Sequence, residues 1–280
     1  MNRIVNYTIP CQPYPLTDFL RFGSVSERFY FESDQSPLAI AGLGITAQIS
    51  RTGPNRFSGL SQDLREFFKR VTLLNDSDDS PRGARPVLLG GGSFFAEMEP
   101  GKWDSFPQAA LVLPRYALIR VNGRYYFSVN LALTKAETVA SASQRACIEA
   151  ETFLAQLESA ILPTPSIPNE ITTNETSRVV WQNAIHHSVE MIHQGRLKKV
   201  VMARPVQVNG NSPIDIPPLL ERLGESCPSS FRFLFEFSPG TAFAGVTPER
   251  LVSVSGAKFT TAAIAGSISS TCRQVWLIPK

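Results

Sequence analysis

Phenylalanine occupies every second position from Phe231 to Phe237, with Arg232, Leu234 and Glu236 between. That period of two predicts a strand with one heavily aromatic face. Arg28-Phe-Tyr-Phe31 and Leu38-Ala-Ile40 are shorter β-prone runs. Ala117–Val121 and Arg124–Val129 flank Asn122-Gly123, whose tolerance of positive φ predicts a hairpin with a two-residue turn. Helical spacing predicts a helix around Leu60–Leu73 and a longer one over Ser141–Ile161, ending at Pro163. In the longer one Cys147, Ala150, Leu154, Leu157 and Ile161 form one apolar stripe. Another helix is expected to begin near Asn174, burying Val180, Ala184, Met191, Trp181, Ile185 and Ile192 and capped by Gly195. Lys199-Val-Val-Met-Ala203 then predicts a buried strand, followed by a hairpin-rich stretch. Ser238-Pro-Gly240 is a turn, and Leu251–Val254 and Lys258–Ile264 are two strands joined through Ser255-Gly256. No internal repeat stands out. The sum is an α+β protein, helices packed on largely antiparallel sheets.

Composition narrows this picture without naming a chemistry. The chain has 280 residues, 43% hydrophobic and 18% charged, enough for a sizeable core. A net charge of +3 with no dense Lys/Arg run weakens a nucleic-acid role. No apolar stretch is long enough to span a bilayer, and residues 1–16 lack the continuous apolar region of a secretory signal. Four scattered cysteines without a CxxC pair are expected to be reduced thiols in a cytoplasmic chain. Asn75–Pro81 is expected as a solvated loop, and Pro163–Pro168 as a linker between a strand-rich half, 1–162, and a second segment, 174–268.

Several motif classes fall away. Gly42-Leu-Gly44 and Gly90-Gly-Gly92 do not continue into a dinucleotide or phosphate loop, and are expected to serve a bulge or tight turn. His186, His187 and His193 lack carboxylate or cysteine partners at ligand spacing, which favours a solvated helix face over a metal site. Neither GxSxG nor HExxH occurs. Two segments keep chemical interest: Lys199 at the mouth of an apolar run, and Glu249 in Phe243-Ala-Gly-Val-Thr-Pro-Glu249. Taken singly, each reads more readily as an edge-strand charge or a turn carboxylate. Together a lysine and a carboxyl group supply a base and an acid. An ordinary lysine at about 10.4 must then fall toward neutrality and an ordinary glutamate at about 4.3 must rise, and desolvation moves both the required way.

Lys199–Arg204, Phe231–Phe237, Phe243–Glu249 and Thr260-Thr-Ala-Ala-Ile-Ala-Gly-Ser267 stand in the order and spacing of the chorismate-utilising enzymes. The N-terminal half resembles the isochorismate synthases among them, closest to the menaquinone/phylloquinone type. This likeness rests on Arg28–Phe31, Ala39–Gly44, Leu88–Phe94, Trp103, Phe106-Pro107 and Leu113-Pro-Arg115. The resemblance implies an anthranilate-synthase-like fold with chorismate as substrate. It implies a reaction in which water adds at C2 as the C4 hydroxyl leaves, with Mg²⁺ as cofactor. It also implies Lys199 as general base and Glu249 as general acid, with Gly266 and Ser267 as a turn holding substrate. Ala265 stands where aminodeoxychorismate synthases carry a nucleophilic lysine, which disfavours an amine route. Salicylate synthase and a non-enzymatic remnant remain as alternatives.

The resemblance stops near Ser267. The family continues through an acidic stretch with two Mg²⁺-binding glutamates and a substrate-binding arginine, whereas residues 269–280 contain no Asp or Glu. The expectation is therefore a fold incomplete at the C-terminus, lacking its metal ligands, nearly inactive and prone to aggregation.

Overall fold

The computed structural model describes residues 2–23, 27–75, 84–97, 101, 103–162, 168 and 170–262. Its chain divides into two compact units, Met1–Leu162 with Pro217–Lys280, and Pro163–Ile216. The expected loop residues 76–81, linker residues 163–167, the Gly266-Ser267 turn and the tail 269–280 lie outside the described residues.

Among the described residues the larger unit is built on one sheet of nine strands. These are β1 (Ile4–Cys11), β2 (Arg28–Glu32), β3 (Leu38–Arg51), β4 (Val71–Leu73), β5 (Leu89–Gly92), β6 (Ala109–Val121), β7 (Arg124–Ala132), β10 (Phe231–Ser238) and β11 (Thr241–Thr247). Their order is β11-β10-β2-β3-β6-β7-β1-β4, with β5 beside β6. Every ladder is antiparallel except the short β1–β4 pair. This is the largely antiparallel α+β architecture that the alternation predicted.

The β6–β7 hairpin closes at Asn122 and Gly123, with φ of 50° and 79°, and pairs Val121 with Arg124. β3 runs far beyond the expected Leu38–Ile40 because its two glycines fit the ladder. A side chain at Gly42 would strike the Pro114 ring, while Gly44, at φ +63°, precedes the register shift between Ile45 and Ala47. Gly44 thus serves a bulge, as expected.

Helices cover the sheet. α1 (Leu16–Phe19) runs into a 3₁₀ turn, Leu20–Gly23. α3 (Val139–Ser159) lies on β1 and β7. Its N-terminus carries a capping box, with the Ser141 N–H donating to Thr138 Oγ1 and the Thr138 N–H to Ser141 Oγ, both at 3.2 Å. Its buried face is Ala142, Ala146, Ala150 and Leu157; Ile161 falls past the helix and is exposed. Arg115 donates to both carboxylate oxygens of Glu149 at 2.9–3.0 Å, and Tyr116 donates to one at 2.9 Å, pinning α3 to β6.

α2 (Arg56–Phe68) packs Leu60 and Phe67 against Ile4, Ile49 and Leu113. It starts and stops earlier than its periodicity suggests, since β-branched Val71 and Thr72 leave the helix to pair with β1. α5 (Ile216–Ser226) arises within the stretch expected to be hairpin-rich. Pro217 and Pro218 sit in its first turn, where a helix has no use for their missing N–H groups.

Cys11, Cys147 and Cys227 are free thiols. Burial pushes the Cys11 thiol up to about 11. Its alkylation by iodoacetamide at pH 7.5 should therefore be roughly 100-fold slower than that of an ordinary thiol, as read by peptide mass spectrometry.

Candidate functional site

Lys199 lies in the smaller unit. There β8 (Ile171–Glu175) and β9 (Val206–Gly210) pair antiparallel, and α4 (Arg178–His193) lies between them in sequence. Ser177, not a residue near Asn174, caps α4, its side chain accepting from the Val180 N–H at 3.3 Å. Gly195, at φ +71°, closes the helix as expected, its N–H donating to the Ile192 carbonyl at 3.0 Å. Trp181, Ala184, Ser188, Met191 and Ile192 form a half-buried stripe, but Val180 and Ile185 are exposed and no α4 residue is fully buried. Lys199–Ala203, expected as a buried strand, is irregular here. Val201 is 79% exposed and Lys199 is exposed with it. The run is apolar enough for a strand, but the ladder partner of β8 is Val206–Gly210 instead. His186, His187 and His193 are exposed helix residues, as expected.

Glu249 belongs to the larger unit. The β10–β11 hairpin turns at Gly240, φ +84°, and opposes Phe235 to Phe243, Phe233 to Gly245 and Phe231 to Thr247. Gly245 is required there because an added methyl would meet the Phe233 ring at 2.8 Å. Two residues past β11, the Glu249 N–H donates to Thr247 Oγ1 at 3.3 Å, and its carboxylate is exposed. Lys199 and Glu249 fall in separate units, so the local setting of each is defined and a shared site is not. β12 (Ser253–Ser255) and β13 (Lys258–Thr260) form the expected hairpin with Gly256 in its turn.

The larger unit also holds a cavity of about 1180 Å³, lined in large part by residues of the motifs that carry the family resemblance. Phe235, Phe237 and Phe243 form one wall, and Trp103, Phe106 and the Gly91–Glu97 segment form the others. Trp103 and Phe106 meet Phe243 edge-on, with centroids 5.4 and 6.3 Å away. Buried Arg56, at the start of α2, donates to the carbonyls of Ser93 and Phe94 at 2.6 and 3.1 Å and so fixes the glycine segment. Gly90-Gly-Gly92 is strand β5 rather than a bulge or tight turn. Glycine is needed because a side chain at Gly90 would sit 2.0 Å from the Ala110 carbonyl oxygen. Gly90→Ala should cost about 1–3 kcal/mol in urea unfolding, whereas Gly91→Ala, with open space around it, should be near neutral.

A second feature, not read from the motifs that contain most of its residues, is a set of charges at the joint of β2 and β10. Arg28 Nε donates to Glu236 Oε2 at 2.5 Å, and Arg232 Nη2 donates to Glu32 Oε2 at 2.7 Å. Arg120 reaches Glu32 Oε1 at 2.9 Å, and Tyr30 donates its hydroxyl to Glu32. Glu236 also accepts from the Gly240 N–H at 2.9 Å. Burial, followed by the charge of Glu32, holds the Tyr30 phenol well above the ordinary tyrosine range. Alternation of Phe with Arg, Leu and Glu was visible in the sequence; in the structure Leu234 and Glu236 are 0% and 2% exposed, while Phe231 is buried and Phe233, Phe235 and Phe237 are half-buried.

Among the described residues no group of three or more His, Cys, Asp or Glu could hold a metal ion. The Mg²⁺ implied by the sequence resemblance therefore has no fitting ligand set there. No helix among them is long and apolar enough to cross a membrane.

A family model described as "Chorismate binding enzyme" matches residues 1–274. The isochorismate synthase MenF of Bacillus subtilis is 25% identical over 276 residues, covering 95% of this chain and 57% of that protein. The salicylate biosynthesis isochorismate synthase of Pseudomonas aeruginosa is 26% identical over 265 residues, covering 91% of this chain and 52% of its own length. Among solved structures, the menaquinone-specific isochorismate synthase MenF of Escherichia coli shares the fold. It matches at a TM-score of 0.61 and 21% identity over 90% of this chain and 52% of that one. The chain spans about half the length of the curated relatives it matches.

Proposed function

This chain belongs to the chorismate binding enzyme family, and from that premise we propose that it carries the first half of an isochorismate synthase. The observation that carries the reading is that the family match spans residues 1–274, a range that includes Lys199 and Glu249. In the proposed reaction chorismate gains a hydroxyl at C2 from water and loses its C4 hydroxyl as water. Lys199 accepts the proton of the attacking water, and Glu249 protonates the departing oxygen, because hydroxide is a poor leaving group. Gly266 and Ser267 hold the substrate through backbone and hydroxyl contacts in the same reading. A Mg²⁺ dependence whose ligands lie outside the described residues, a cytoplasmic setting and supply of isochorismate to menaquinone synthesis belong to the proposal too. The names of the B. subtilis and E. coli relatives support the last of these. No step is routed through the metal.

Product analysis tests this. Chorismate with Mg²⁺ and stoichiometric protein should yield isochorismate slowly, and Lys199→Ala and Glu249→Gln should each abolish it. Salicylate with pyruvate would instead place the chain with the salicylate synthases. Chorismate recovered unchanged after prolonged incubation would overturn the catalytic reading.

A further inference from the structure

Strands β2 and β10 carry nearly the same pentapeptide, Arg28-Phe-Tyr-Phe-Glu32 and Arg232-Phe-Leu-Phe-Glu236. They lie about 200 residues apart in the chain and pair antiparallel, Arg28 opposite Glu236, Tyr30 opposite Leu234 and Glu32 opposite Arg232. An Arg-Phe-x-Phe-Glu segment is self-complementary in that arrangement: each arginine meets the other strand's glutamate. The same pairing sets Phe31 against Phe233 and Phe29 against Phe235 on the opposite face.

The two faces differ in how much they say about alignment. A slip of two residues in one direction places Phe31 against Phe235 and Phe29 against Phe237. The opposite slip places them against Phe231 and Phe233. Aromatic contact survives either way; already Phe31 stacks on Phe231 at 5.7 Å and Phe29 touches Phe237 at 5.4 Å. The phenylalanine face is therefore degenerate, and register is weakly specified by such a face. On the charged face either slip leaves Glu32 against Leu234 or Ser230 and strips Arg28 of Glu236. Glu32 keeps Arg120 and the Tyr30 hydroxyl after a slip, but buried Glu236 loses Arg28, and a buried carboxylate stranded without its cation is strongly unfavourable.

We propose that these four residues act as a register key: the crossed pairs Arg28–Glu236 and Arg232–Glu32, and not the phenylalanines, align β10 on β2. β11 is hairpinned to β10, so the key also sets the position of Thr247-Pro-Glu249 along the sheet. A two-residue slip moves that segment by about 7 Å. On the reading of Glu249 as the general acid, the four are positioning residues for it. That role rests on the proposed function, and the key itself does not.

The test reads register without turnover, in the full 280-residue chain with its native cysteines replaced by serine. Phe31→Cys is combined with Phe233→Cys, opposite in the native register, or with Phe231→Cys or Phe235→Cys, opposite only after a slip. With native charges, only the first pair should form a disulfide. Neutralising the key with Arg28→Gln, Glu32→Gln, Arg232→Gln and Glu236→Gln should let a slipped pair close as well. Exclusive closure of the native pair in that folded variant overturns the proposal. Should the neutral variant not fold, the exchange Arg28→Glu with Glu236→Arg decides. The key requires it to recover the melting temperature and native cross-link lost in Arg28→Glu alone, and an exchange as impaired as the single change overturns it. Failure of the catalytic reading would leave the cross-link pattern intact, which keeps the two claims separable.

Discussion

Residues 1–280 expressed alone should form isochorismate roughly 1,000-fold or more slowly than the B. subtilis relative assayed beside them. Exposure is the first reason. Proton transfer is efficient where the base and the acid are held against the substrate and away from bulk water. Lys199 and Glu249 are both exposed, and the Lys199 segment belongs to no strand. Positioning matters more still, since holding reactants in line supplies several orders of magnitude on its own. Among the described residues no metal-ligand cluster exists to orient a dicarboxylate substrate. Single-turnover chromatography with enzyme in excess measures the residual rate. A rate within ten-fold of the relative's would show that the exposed arrangement is already competent.

Phe127→Ala should remove about 3–5 kcal/mol of stability, much of what a domain of this kind possesses. Phe127 is fully buried on β7, and its ring touches three others. It meets Phe19 of α1 edge-on at 6.1 Å, stacks on Phe153 of α3 at 5.1 Å and on Tyr116 of β6 at 6.2 Å. One truncation therefore empties the point where two helices are seated on the sheet. The neighbours span three elements and cannot all close the gap, which places the cost toward the upper end. Equilibrium urea unfolding followed by intrinsic fluorescence gives the value. A loss below 1 kcal/mol would mean that α3 is held mainly by the Arg115–Glu149–Tyr116 contacts.

The fold was legible where periodicity and turn chemistry agreed. Asn122-Gly123 marked the β6–β7 hairpin because only certain residues adopt positive φ there, and the Phe231–Phe237 alternation marked β10. It was not legible where tertiary pairing overrode local pattern. Val71–Leu73 reads as helix until β1 offers it a partner, and Lys199–Ala203 reads as strand but receives none among the described residues. The aromatic alternation of β10 held, while the ion pairs on its other side were not legible, because sequence alone does not show that two arginines and two glutamates neutralise one another across a ladder. The likeness of the two pentapeptides leaves no periodic signal either: five residues recurring once, about 200 positions apart, carry no period. Of the candidate site, Lys199 and Glu249 rest on family motifs, and so do most residues of the aromatic cavity, but the closing of these distant segments around one cavity left no local trace.

The distance between the twin pentapeptides also has a meaning in time. At the usual 5–20 residues per second of synthesis, β10 leaves the ribosome roughly 10–40 s after β2. During that interval the edge of β2 that β10 will occupy is open, and its sequence is complementary to its own copy on a neighbouring nascent chain. Polysomes hold such copies close together. A feature proposed to fix alignment in the finished molecule thus favours, among possible misassemblies, intermolecular strand exchange between chains still being made.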